Sequence, residues 1–144
     1  QFPTTCELLS LTICNMGSLP CNIHLIYHPP GDNITFIEQF MELATSSAGP
    51  QAKEIFLRSF NMHWNDPNDP QVTALKSFIL DIHLVQFYSQ PTHTRGETLY
   101  LIIAKDNLIT MESITPNDWS NQHFISFLIN NLRGKKCCLP VRPK

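Results

Sequence analysis

The stretch Glu54-Ile55-Phe56-Leu57-Arg58-Ser59-Phe60-Asn61-Met62-His63 decides how the chain is read. A short apolar run ends abruptly in polar residues, and the loop Asn65-Asp66-Pro67-Asn68-Asp69-Pro70 follows. That is the pattern of a buried strand over 54–60 delivering polar side chains to its C-terminal end. The strand fixes the backbone while the loop stays open to ligand, so functional groups collect at such ends.

On the N-terminal side, residues 7–14 form a β-rich run and Met16-Gly17-Ser18-Leu19-Pro20 a turn. Residues 21–28 then alternate. Cys21, Ile23, Leu25 and Tyr27 share one face, and Asn22, His24, Ile26 and His28 share the other. Two such runs predict an antiparallel hairpin with a half-buried second strand. After Pro29-Pro30-Gly31-Asp32-Asn33, Thr35-x-x-Glu38 reads as a capping box, and Phe36, Ile37, Phe40, Met41, Leu43 and Ala44 recur at helical spacing.

On the C-terminal side, Asp69-Pro70 is a helix start in which Asp caps and Pro needs no N–H. Leu75, Phe78, Ile79 and Ile82 carry that helix onward. Strands are predicted at 85–88, 98–104, 108–114 and 124–129. Polar loops lie between them, notably Gln90 to Glu97 and Thr115 to Gln122. The order is β-β-α-β-α-β-β-β-β, a mixed α/β pattern whose polar loops converge on one rim.

The 144 residues suffice for one domain with a sizeable core, and 42% hydrophobic content suits a globular fold. No apolar run approaches the roughly 18 residues that span a bilayer, and no signal-peptide pattern is visible. The net charge of −2 gives no overall basic face for nucleic acid. Yet five of the ten Lys and Arg fall after residue 132, at Arg133, Lys135, Lys136, Arg142 and Lys144. They read as a solvated tail or as a weak phosphate-contacting arm. The odd cysteine count (Cys6, Cys14, Cys21, Cys137, Cys138) makes a poor disulfide framework and lacks a Cys-x-x-Cys pair. It favours buried thiols in a reducing, intracellular compartment, with nucleus and cytoplasm left open. The alternative is a small secreted domain, which the sequon Asn33-Ile34-Thr35 would suit.

Four segments occur together in order: Ile26-Tyr27-His28-Pro29-Pro30-Gly31, Phe56 to His63, Pro91-Thr92-His93-Thr94-Arg95-Gly96-Glu97-Thr98-Leu99-Tyr100-Leu101-Ile102, and Trp119-Ser120-Asn121-Gln122-His123-Phe124. Over residues 5–130, followed by the basic tail 131–144, the chain resembles the endonuclease domain of non-LTR (LINE-type) retrotransposons. That family lies in the endonuclease/exonuclease/phosphatase, DNase I-like superfamily. The resemblance implies a DNase I-like α/β sandwich, two mixed sheets with flanking helices, of which the chain carries the C-terminal two-thirds. It also implies phosphodiester hydrolysis with Mg2+, DNA as substrate, and a reverse transcriptase domain as companion in relatives; the lack of a long apolar run leads us to expect no membrane partner.

Carried over position by position, the resemblance marks Tyr27, Asn61 and His123 as retained phosphate-contacting or catalytic groups. The departures fall on the acids. Ser59 stands for the catalytic Asp of a Gly-Asp-Phe-Asn motif, with Arg58 for its Gly. Tyr100 stands for the Asp that orients the His, and Gln122 (or Asn121) for the Asp of Ser-Asp-His. His28 replaces an Arg. The Asn and the metal-binding Glu of the family's N-terminal part have no counterpart. The expectation is therefore a pseudoenzyme with no metal or other cofactor and weak DNA binding at most. A repurposed nucleic-acid or protein binding module is the alternative. With one half of a two-sheet fold, an apolar sheet face is expected to be left bare, implying self-association or an N-terminal segment supplied elsewhere. A histidine metal cluster of His24, His28, His63 and His93 is disfavoured by its spacing. Asp66, Asp69 and Asp118 read as loop and cap residues.

Overall fold

A computed structural model describes residues 7–14, 19–31, 33–47, 53–59, 62–88 and 90–130. Phe60, Asn61, the turn at 15–18, Cys6, Cys137, Cys138 and the basic tail lie outside the described residues.

The elements are β1 (Glu7–Ile13), β2 (Cys21–Tyr27), α1 (Asn33–Ser47), β3 (Lys53–Ser59), α2 (Pro70–Asp81), β4 (Val85–Gln86), β5 (Tyr100–Ala104), β6 (Ile109–Thr115) and β7 (Phe124–Ile129). Their order matches the sequence pattern. Strands β1-β2-β3-β5-β4 form a mixed sheet, and β6-β7 pair separately. β1 and β2 make the expected antiparallel hairpin. β2 and β3 are parallel, which requires the crossover that α1 supplies. β5 lies antiparallel to β3, and β4 closes the far edge.

α2 starts as its sequence dictates. Asp69 Oδ1 accepts hydrogen bonds from the N–H groups of Gln71 (2.9 Å) and Val72 (3.3 Å), and Pro70 occupies the first turn. It ends in a Schellman arrangement: His83 at φ 59° donates to Leu80 O, and Leu84 donates to Ile79 O. α1 corrects the capping-box expectation. The helix already begins at Asn33, so Thr35 and Glu38 both lie inside it. Asn33 is itself a favourable helix-starting residue, and its Oδ1 meets His28 Nε2 at 3.0 Å, tying the helix entry to the end of β2. The strand read over 85–88 is reduced to Val85–Gln86. The one read from Thr98 starts at Tyr100, because Thr98 and Leu99 are held by hydrogen bonds to the preceding loop.

Each face of the main sheet packs on a different layer. On one, Ile26, Phe56, Leu101 and Ile103 are buried against Phe36, Ile37, Phe40 and Ala44 of α1 and Val72, Leu75 and Ile79 of α2. Phe40 meets Phe56 edge-on at 5.5 Å. Arg58 is buried here too, its guanidinium 4.3 Å from the Phe36 ring centroid and 3.9 Å from that of Phe40. Aromatic faces stabilise a desolvated cation that would otherwise be costly to bury. His28 stacks on the same Phe36 at 4.0 Å. Glu54 is buried through Asn22 (2.7 Å) and His24 (2.6 Å), and His24 meets Ser10 Oγ at 2.9 Å, so three strands share one polar ladder. Of the two faces read in β2, the one with His24, Ile26 and His28 is therefore the buried one.

On the other face, Cys21, Ile55, Ile102 and Ala104 pack with Leu108 and Ile109, and Ile125, Phe127 and Ile129 of β7 close over them. This second layer covers the β3–β5 half. Leu9, Leu11 and Leu25 on the β1–β2 half are each half exposed. Cys21 is buried, whereas Cys14 is exposed.

Candidate functional site

The rim forms where β2 and β3 end and β5 begins. Register places Tyr27 beside Ser59, and Ser59 beside Tyr100. Paired residues in a sheet share a face, so these side chains form one row across three strands. Tyr27 is 44% exposed, and Ser59 and Tyr100 are partly exposed. The structure thus brings together Tyr27, retained in the resemblance, with Ser59 and Tyr100, which stand where acids are expected. Asn61 lies outside the described residues, two positions past the end of β3.

The second part of the rim is the loop 116–123. Tyr100 Oη donates to Gln122 Oε1, so the two neutral replacements are hydrogen-bonded to each other. Gln122 also forms a β-bridge with His93. His123 Nδ1 meets the carbonyl oxygen of Pro91 at 2.9 Å. A carbonyl can only accept, so Nδ1 carries the proton and Nε2 is the atom left for a ligand. The orienting group of this histidine is thus a backbone carbonyl, while the residue at the expected acid position turns to Gln122.

Two threonines that sequence reading missed build the seat of His123. Thr92 and Thr98 are fully buried. Thr92 Oγ1 accepts from the N–H groups of Leu99 (2.9 Å) and Tyr100 (3.1 Å), and Thr92 O accepts from His123 N at 2.8 Å. Thr98 Oγ1 donates to Gln90 O and accepts from Asn65 Nδ2. The turn between them closes through Gly96 N to His93 O, with Gly96 at φ +85° where a side chain would be strained. Hydroxyls in a polar loop carry no sequence signal that separates such a role from ordinary exposure.

A cleft of about 430 Å³ opens between this loop and the one after β3, lined by His63, Trp64, Asn65, Asp66, Gly96, Glu97 and Thr98. His63 Nδ1 and Glu97 Oε1 stand 3.5 Å apart at its exposed mouth. A second cleft of about 520 Å³ lies between α2 and β4, with Trp64 on the wall between the two. The four histidines weighed as a cluster are dispersed: His24 on Glu54, His28 on Phe36, His63 by Glu97 and His93 in the bridge to Gln122. Asp66 accepts from Asn68 N, and Asp69 caps α2. Among the described residues, no three His, Cys, Asp or Glu side chains converge in a way that could hold a metal ion. The donor set of the row, two phenols and a serine hydroxyl, lacks the carboxylates that Mg2+ requires of a protein site.

Solved structures that share the fold include the following two. The endonuclease domain of TRAS1, a telomere-specific non-LTR retrotransposon, superposes with a TM-score of 0.68 at 15% identity, over 85% of this chain and 63% of that one. The human Nocturnin catalytic domain with bound sulfate anion gives 0.53 at 16% identity, over 86% of this chain and 60% of that one. The fold is of the endonuclease/exonuclease/phosphatase type. The chain spans less than two thirds of the length of either neighbour. No family model and no curated protein matches the sequence.

Proposed function

We propose that this chain is a DNase I-like domain that holds nucleic acid at its rim without hydrolysing it. The observation that carries the reading is the row Tyr27–Ser59–Tyr100, closed by the bond from Tyr100 to Gln122. Neutral hydroxyls and an amide stand where the resemblance implies acids. Metal-dependent hydrolysis needs anionic ligands to hold the ion and a base to activate water. A serine hydroxyl replaces neither. The same substitutions favour holding a phosphate: hydroxyls can donate to its oxygens, and no carboxylate in the row repels it. His123, fixed through Nδ1 on Pro91, presents Nε2 to the same ligand.

The retrotransposon endonuclease among the structural neighbours supports nucleic acid as the ligand class, and the sulfate held by the other supports an anion. The five cations after residue 132 would add a phosphate-contacting arm. Anisotropy of a labelled oligonucleotide tests the reading. Binding is expected to fall steeply with salt, to persist in EDTA, and to weaken several-fold in His123→Ala. Absent or salt-independent binding overturns it.

A protein contact is the second reading, favoured by the bare face of Leu9, Leu11 and Leu25. Exposed apolar surface of this kind drives association. Self-association through it is expected to appear in sedimentation as concentration-dependent mass, and a monomer at every concentration rejects it.

A further inference from the structure

Trp119 is 95% exposed, whereas Trp64 is buried. Tryptophan is a highly buried residue type on average, so an indole standing in water on a fixed backbone calls for a partner. The backbone here is tied down. Asn117 Oδ1 accepts from Trp119 N at 2.9 Å, and Ser120 Oγ accepts from Gln122 N at 2.9 Å. Asn121 O accepts from Thr94 N at 2.8 Å, and the bridge between Gln122 and His93 locks the next residue. The segment that carries Trp119 is thus the one that delivers His123, and both are fixed to the loop 90–97. Phe124, on the other side of His123 in sequence, is 66% exposed, and Tyr27 in the rim row is 44% exposed.

We propose that Trp119 is a stacking platform for an unpaired nucleobase, so that the ligand of the rim is single-stranded nucleic acid. This rests on the nucleic-acid reading above and names its substrate class. In a duplex the faces of the bases are already stacked on one another, and an indole has nothing to cover. In a single strand each base offers a free π-face, and an aromatic side chain that covers it binds with little sequence preference. Because the backbone that carries Trp119 is tied to the loop 90–97 before binding, only the side-chain torsions of the indole are left to be ordered in the contact. The phosphate next to the stacked base then falls to the polar groups of the rim.

The test uses the whole chain with oligo(dT), oligo(U), the same length of duplex, and an abasic phosphodiester oligomer. The indole emission of Trp119 is expected to be quenched by both single strands, and not by the abasic oligomer. Trp119→Ala is expected to weaken binding of the single strands roughly tenfold or more, with Trp119→Phe restoring most of it and binding of the abasic oligomer unchanged. Duplex is expected to bind more weakly than either single strand. Circular dichroism of Trp119→Ala controls for folding, which an almost fully exposed side chain should not disturb. Equal single-strand affinity in wild type and Trp119→Ala overturns the stacking role while leaving nucleic-acid binding standing, as does duplex binding equal to single-strand binding. Failure of the wild type to bind any oligomer overturns both.

Discussion

Arg58 and Ser59 are neighbours on β3 and face opposite sides of it, and the two sides have departed from the resembled motif in different ways. On the helix side, a long cation stands where the motif has glycine, and His28 stands where it has arginine. Both are packed: Arg58 over Phe36 and Phe40, and His28 on Phe36 and Asn33. On the rim side, Ser59, Tyr100 and Gln122 stand where it has acids, and the last two are bonded to each other. Substitution on the helix side kept a filled interior, as close packing demands. At the rim, Tyr100 and Gln122 are hydrogen-bonded and neutral. On the reading proposed above, the two sides thus differ in what they keep: packing on the helix side, hydrogen bonding without charge at the rim.

The contrast can be broken first at Arg58. Arg58→Ala should remove the filling between two rings and cost about 2–4 kcal/mol in urea unfolding. Arg58→Met, similar in reach and apolar, should cost less than about 1.5 kcal/mol. A methionine variant as unstable as the alanine variant would show that the charge, not the packing, is what the helix side keeps.

At the rim, Ser59→Asp should leave unfolding nearly unchanged. It should weaken oligonucleotide binding several-fold, since like charges about 4 Å apart repel by ~1 kcal/mol even in water. Unchanged affinity would move the phosphate away from the row.

Tyr88 links the two regions, because its hydroxyl donates to Tyr100 O beneath the row. Burial, with Tyr100 beside it, pushes its pKa well above the ordinary tyrosine value. The folded chain keeps this proton while the unfolded chain loses it above about pH 10. Stability from Tyr88 is therefore complete below that pH and declines as pH rises beyond it. Tyr88→Phe should lose about 1 kcal/mol at neutral pH and show a shallower alkaline decline. An equally steep decline would assign it to other groups.

The smallest effect is expected on the bare half of the sheet. Leu11→Lys should change stability by less than about 0.5 kcal/mol while reducing concentration-dependent association. A large destabilisation would mean that this face is covered within the monomer.

Much of the scaffold was legible in the residues. The order of elements, the hairpin, the Asp69-Pro70 cap and the end of β3 at the rim followed from periodicity and turn chemistry. The buried face of β2 did not. Alternation offers two faces, and His24 and His28 are buried only because Glu54, Asn33 and Phe36 meet them from distant parts of the chain. Of the residues that the resemblance singles out, Ser59 and Tyr100 do meet at neighbouring strand ends, and Gln122 meets Tyr100. The bond between the last two, the Pro91 carbonyl on His123 and the threonine hubs at 92 and 98 depend on how two loops meet, which spacing along the chain does not encode.

Nicking of supercoiled plasmid by the purified chain in magnesium or manganese tests most directly whether the rim binds without chemistry. No nicking above buffer is expected, while the same sample retains single-strand binding in EDTA. Nicking that EDTA stops and His123→Ala removes would contradict it.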